Sequence, residues 1–137
     1  KPVIFMENLF PPLVDFIHPK FKESKIITAQ DPTKKWDTVT VEDTAKFACE
    51  AFKDPERFNK KSIDIASDSL TNEETAAILS KVLGKKFEVE SLSPEEAIEK
   101  GLPPVIARIH EWYNLTGGYT ANWEALKEYK IPLTSFE

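Results

Sequence analysis

Glycine is scarce in this chain of 137 residues: the four glycines are Gly84, Gly101, Gly117 and Gly118. A pyrophosphate-cradling turn of the Gly-x-Gly-x-x-Gly type, a phosphate loop and a Gly-x-Ser-x-Gly nucleophile elbow all need glycines at close, fixed spacing. None can be built here. Cysteine is scarcer still, because Cys49 stands alone. That excludes an internal disulfide, suits a reducing, cytoplasmic compartment and leaves Cys49 as a small core hydrophobe. The two histidines, His18 and His110, have no cysteine or carboxylate at a recognised ligand spacing, so no protein metal site is expected. His110 falls off the apolar stripe of its helix and is expected at the surface.

Basic charge is also in short supply, with 18 Lys and Arg against 23 Asp and Glu and a net charge of -5. A phosphate-binding face needs clustered cations in excess, so direct contact with nucleic acid is not expected. The pairs Lys34-Lys35, Lys60-Lys61 and Lys85-Lys86 are scattered among acids and read as solvated turns. No apolar run approaches the ~20 residues of a membrane span, and none has the form of a signal peptide. The first residue is Lys1, which fits a fragment or a processed product.

What is present reads as one α/β piece. Pro2-Val3-Ile4-Phe5-Met6 is a continuous apolar run, predicted to be a strand buried on both faces. Asn8 is a candidate cap for a helix running to Ile17. Lys25 to Ala29 is a short strand, and Trp36 to Val41 alternates as a strand with one polar face. Thr40 and Asp43 open a helix to about Phe52, whose apolar face is Val41, Ala45, Ala48, Cys49 and Phe52. Lys61 to Ala66 reads as another strand.

Thr71 and Glu74 have the spacing of a capping box, and Gly84 is the matching left-handed stop. Ser93-Pro94-Glu95-Glu96 repeats the helix-start chemistry after a strand at Lys86 to Ser91. The acid pairs Glu73-Glu74 and Glu95-Glu96 belong to first helical turns, where they complement the macrodipole. A helix opens at Pro103-Pro104 and another short one spans Asn122 to Lys130. Around the Gly117-Gly118 loop the aromatics Trp112, Tyr113, Tyr119 and Trp123 gather. They either line a pocket or close the core.

The stretches Pro2 to Asn8, Trp36 to Ala45, Ile65 to Thr71, and Glu74 with Leu79 to Gly84, in that order, resemble the C-terminal half of NmrA-like proteins, which are atypical short-chain dehydrogenase/reductases. Phe5-Met6-Glu7-Asn8 is the most specific piece. The resemblance implies the C-terminal part of a Rossmann-like parallel sheet with helices, plus a small α+β substrate subdomain, over residues 1–137. It implies binding of NADP or NAD, with Phe5, Met6, Glu7 and Asn8 near the nicotinamide end. Trp112, Tyr113 and Tyr119 would shape the substrate pocket. Relatives act as redox sensors or as reductases of quinones and other small molecules. The Gly-rich fingerprint and any catalytic Tyr or Lys belong to the family's N-terminal half, absent here, and no tyrosine starts a Tyr-x-x-x-Lys. The alternative is a stand-alone binding or regulatory module that pairs with another copy or a partner through an exposed sheet edge.

Overall fold

The computed structural model describes residues 1–137. Two small sheets carry the chain. In the first, β1 (Ile4–Phe5) runs parallel to β3 (Trp36–Val39), which pairs antiparallel with β4 (Asp68–Leu70) on its other side. In the second, β2 (Lys25–Thr28) runs parallel to β5 (Glu88–Ser91), with Ile26 opposite Val89.

Helices follow the strands. They are α1 (Leu13–Ile17), α2 (Val41–Lys53), α3 (Pro55–Phe58), α4 (Asn72–Leu83), α5 (Pro94–Glu99), α6 (Pro104–Thr116) and α7 (Trp123–Lys127). None is long and apolar enough to cross a membrane.

The doubly covered strand is β2. Its successive side chains point to opposite faces, so Ile26 packs with Ala76 of α4 and Phe87, while Ile27 packs with Ala97 of α5, Leu102 and Ala107 of α6. A third cluster joins Val39 of β3 to Phe47 of α2 and Leu126 of α7.

The opening run departs from expectation. Only Ile4 and Phe5 form regular strand, Pro2 adds one bridge to Ile65, and every residue from Val3 to Leu9 is half-buried rather than buried. The chain turns at Met6 into a short 3-10 helix (Met6–Leu9), because the Glu7 carboxylate accepts the Val41 N–H at the start of α2. Asn8 caps nothing, and α1 begins beyond Pro12 without a side-chain cap. The strand expected over Lys61 to Ala66 reduces to the bridge at Ile65, and the extended pairing shifts to Asp68–Leu70.

The three capped helix starts form as read: Thr40 Oγ1 accepts from Asp43 N, and both Thr71/Glu74 and Ser93/Glu96 make reciprocal capping boxes. The face of α2 is reversed, however. Asp43 and Phe47 point inward, while Ala45, Ala48 and Cys49 are exposed, as are Val41 at 54% and Phe52 at 87%. Cys49 is therefore not a core residue.

The inward turn of α2 is dictated by Asp43. Its fully buried carboxylate accepts from Lys46 Nζ at 2.7 Å, Ser67 Oγ at 2.5 Å, Thr134 N at 2.7 Å and Thr134 Oγ1 at 3.0 Å. Burial raises its pKa, but these hydrogen bonds outweigh burial and hold the carboxyl at about 2. A carboxyl depressed from 3.8 stabilises the fold fully above about pH 4 and loses that contribution as pH falls towards 2.

Asp43→Asn is expected to cost about 3 kcal/mol near neutral pH, because an amide presents donors to donors. Urea denaturation should also show that acidification from about pH 6 to about pH 3 removes roughly 1 kcal/mol less stability from the variant than from the wild type. Equal acid sensitivity of the two proteins would refute the assignment.

Candidate functional site

Where β1 ends, its last side chains meet α1, α4 and α6 around a cavity of about 240 Å³. Crevices outside the carboxyl ends of strands are where open α/β sheets hold ligands. Phe5, Met6, Leu9, Ile17, Ile106 and Ile109 supply apolar wall. Trp36 and Thr38 enter from one face of β3, whose alternate residues Asp37 and Val39 are buried on the other. Asn72 comes from the first turn of α4, His110 from the middle of α6 and His18 from the end of α1.

Polar atoms inside this apolar shell are partly unpaired. His18 Nδ1 and Thr38 Oγ1 are buried without a hydrogen-bond partner. Leaving such atoms unsatisfied costs free energy that a bound polar group can recover. Burial pushes the His18 imidazole down to about 4, and burial together with the neighbouring His18 does the same to His110. Both rings are neutral at physiological pH. Behind the cavity a buried polar chain runs from His110 to Thr28, from Thr28 to Asn72 and from Asn72 to Gln30.

Of the residues assigned from sequence to the nicotinamide side, Phe5, Met6 and Asn8 line the cavity. Glu7 does not: its Oε1 is committed to the Val41 N–H. The aromatic trio lies outside these walls. Tyr113 is 2% exposed and packs behind Trp36, with ring centres 4.1 Å apart and the ring planes tilted by 42°. Its hydroxyl donates to the Tyr119 carbonyl, and burial, followed by the charge of Asp37, pushes the phenol up to about 12. Trp112 and Tyr119 pack on each other at the surface, 41% and 67% exposed. Tyr119 lines a separate cleft of about 490 Å³ with Lys1, Pro2, Asp64 and Thr120.

The reason lies in helix register. Ile106, Ile109 and His110 share the cavity face of α6, whereas Tyr113, one turn beyond His110, reaches past it to the back of Trp36. His110 is thus 4% exposed instead of lying at the surface.

Mixed parallel strands with covering helices and a crevice at a strand's carboxyl end define a Rossmann-like α/β protein. The model of the NmrA-like family matches residues 1–131, and the chain belongs to that family. Among solved structures, a nucleoside-diphosphate-sugar epimerase from Staphylococcus aureus is similar at 18% identity and a TM-score of 0.75. The triphenylmethane reductase of Citrobacter sp., solved with NADP(H), is similar at 20% identity and a TM-score of 0.72. NmrA, a negative transcriptional regulator solved with NAD, is similar at 14% identity and a TM-score of 0.64. Each likeness covers 98% of this chain and 48% of the other, so the chain spans about half the length of these structures. A search of curated proteins finds no match.

Gly118 sets the position of Tyr113, and through it Trp36. It has a φ of +66°, and a Cβ there would overlap the Tyr113 ring. Gly118→Ala is expected to destabilise the protein by about 2 kcal/mol or more and to shift tryptophan emission as Trp36 is displaced. A variant with unchanged melting temperature and emission would show that the loop does not fix this wall.

Proposed function

We propose that this chain supplies the substrate-side part of an NAD(P)-binding oxidoreductase or redox sensor, with the 240 Å³ cavity receiving a small planar molecule such as a quinone. The observation that carries this reading is the apolar crevice at the end of β1 holding unpartnered polar atoms on His18 and Thr38. Family membership and the cofactors named for two of the similar structures support it.

The residues present fit one end of a dinucleotide. Phe5, Met6 and Asn8 would flank the nicotinamide ring, an apolar face with one amide suited to a planar carboxamide-bearing heterocycle. Four separated glycines offer no cradle for the pyrophosphate, so those contacts belong to a dinucleotide-binding half outside this chain. A bound reduced nicotinamide supplies hydride. The chain's own apolar side chains Phe5, Met6 and Leu9 would exclude water from the site, and His18 and His110 would offer neutral imidazoles to a polar substituent of the small molecule.

Binding is best measured in a Cys49→Ser background, because the exposed thiol adds to quinones. Naphthoquinone is expected to quench tryptophan emission saturably, and Ile109→Trp, which fills the cavity from a side chain 43% exposed, should weaken it about tenfold or more without lowering the melting temperature. Unchanged affinity in Ile109→Trp would sink the reading. Calorimetric titration with NADPH or NADH is expected to show no binding tighter than roughly millimolar by the chain alone.

A second reading is favoured by the exposed stripe of α2. Val41, Ala45, Ala48, Cys49 and Phe52 form an apolar helix face that nothing in the chain covers. Such a face suits a non-enzymatic module that pairs with another copy or with a partner. On this reading the α2 face, more than the sheet edge, is the joint. Light scattering at tens of micromolar should then show a self-associated wild type and a monomeric Phe52→Glu; a monomeric wild type would rule out pairing between copies.

A further inference from the structure

Every side-chain hydrogen bond of His110 runs through Nδ1. The Ala29 backbone N–H donates to it at 3.1 Å, and the Thr28 hydroxyl lies 3.3 Å away. An amide N–H cannot accept, so Nδ1 holds its lone pair towards Ala29. The Thr28 oxygen already accepts from the Gln30 N–H at 3.1 Å and from Asn72 Nδ2 at 3.4 Å, which leaves its own hydrogen for Nδ1. With Nδ1 an acceptor, the proton of the neutral ring sits on Nε2. A doubly protonated ring would set an Nδ1–H against the Ala29 N–H inside a desolvated shell.

The other groups around the cavity complement that donor. The Trp36 ring meets His110 edge-on at 5.5 Å and is held from behind by Tyr113, giving a rigid aromatic wall. His18 Nδ1 and Thr38 Oγ1 remain unpartnered on the same cavity. No carboxylate or ammonium lines it, so ligand selection falls to hydrogen bonding and shape.

We infer that His110 is the ligand-binding hydrogen-bond donor of this cavity, fixed as its Nε2–H tautomer by Ala29 and Thr28, and that it selects planar molecules bearing a carbonyl-type oxygen over hydrocarbons of the same shape. The inference rests on the reading of the cavity as the small-molecule site. It assigns to that site a discriminating residue, a donor that carries no charge and so adds no preference for anions.

Two measurements on the Cys49→Ser chain test it. Nitrogen NMR of the imidazoles should show His110 with Nδ1 unprotonated and Nε2 protonated at neutral pH; a proton on Nδ1 overturns the inference. Competition by tryptophan fluorescence should show naphthoquinone binding about tenfold more tightly than naphthalene. His110→Asn keeps an amide beside Ala29 but loses the distal donor, and the preference should vanish. His110→Gln places an N–H near the Nε2 position and should restore part of it. Equal affinities for the two compounds in the wild type, or a preference that persists in His110→Asn, overturn the donor role while leaving the cavity as a binding site. Failure of both compounds to bind overturns the cavity reading as well. The wild-type comparison needs no variant, so loss of folding in His110→Asn would not blunt the test.

Discussion

The Asp43 carboxylate is the constraint on which the arrangement of this chain depends. It is buried with its charge retained, which is tolerable only when several donors replace the lost water. Those donors come from three places: Lys46 one turn along α2, Ser67 on the approach to β4, and Thr134 in the irregular C-terminal segment. Ser67 and Thr134 stand 24 and 91 residues away in sequence. Seating the charge therefore requires α2, the segment leading into β4 and the tail to be in place together. Other carboxylates do similar work: Asp37 takes the Ala121 N–H, Asp68 the Phe136 N–H and Glu7 the Val41 N–H. Each satisfies a backbone donor that no helix or strand ladder reaches. The C-terminal segment, which has no regular structure beyond α7, is held by Asp43 and Asp68 of the first half of the chain together with the packing of Tyr129, Ile131 and Leu133 on the cluster around Val39 and Phe47.

The same feature explains which parts of the fold were legible in the sequence. Helix starts were readable at Thr40, Thr71 and Ser93 because capping is settled by residues three apart. The left-handed stop at Gly84 is equally local. The inward face of α2 was not readable, since an apolar count places Val41, Ala48 and Phe52 inside and a charged Asp43 outside. Partners remote in sequence reverse that choice. The opening run misled for a related reason. A continuous apolar stretch says that its side chains avoid water, not whether they do so under covering helices or in the wall of a cavity. Ile26 and Ile27 of β2 satisfy the first description, and Phe5 and Met6 the second.

The candidate site was half visible on similar terms. Phe5, Met6 and Asn8 stood out as part of a contiguous motif. Trp36 lies in an alternating strand that carries no site signal, and His18 and His110 have no ligand-type neighbour at short spacing to mark them. The partners that define His110 are Thr28 and Ala29, 82 and 81 residues earlier. No local signal marks such a pairing. The aromatic trio near Gly117 is dense in sequence, yet Tyr113 reaches the cavity only through Trp36, in front of it.

On the proposed reading, this cavity divides the labour of dinucleotide chemistry in a definite way. Binding phosphates requires backbone amides brought close by glycine, or cations, and the cavity walls provide neither. Positioning a ring requires stiff apolar walls and a few oriented donors, and Trp36, backed by Tyr113, together with His110, backed by Thr28, provides both. Each pair consists of a residue facing the cavity and a residue locking it from behind. That supporting layer matters because a donor free to rotate or change tautomer would lose much of its discrimination in reordering. The histidine therefore depends on a buried network in which the Gln30 N–H and Asn72 Nδ2 occupy the Thr28 oxygen as acceptor and leave its hydrogen for His110, while Gln30 Oε1 accepts from Asn72.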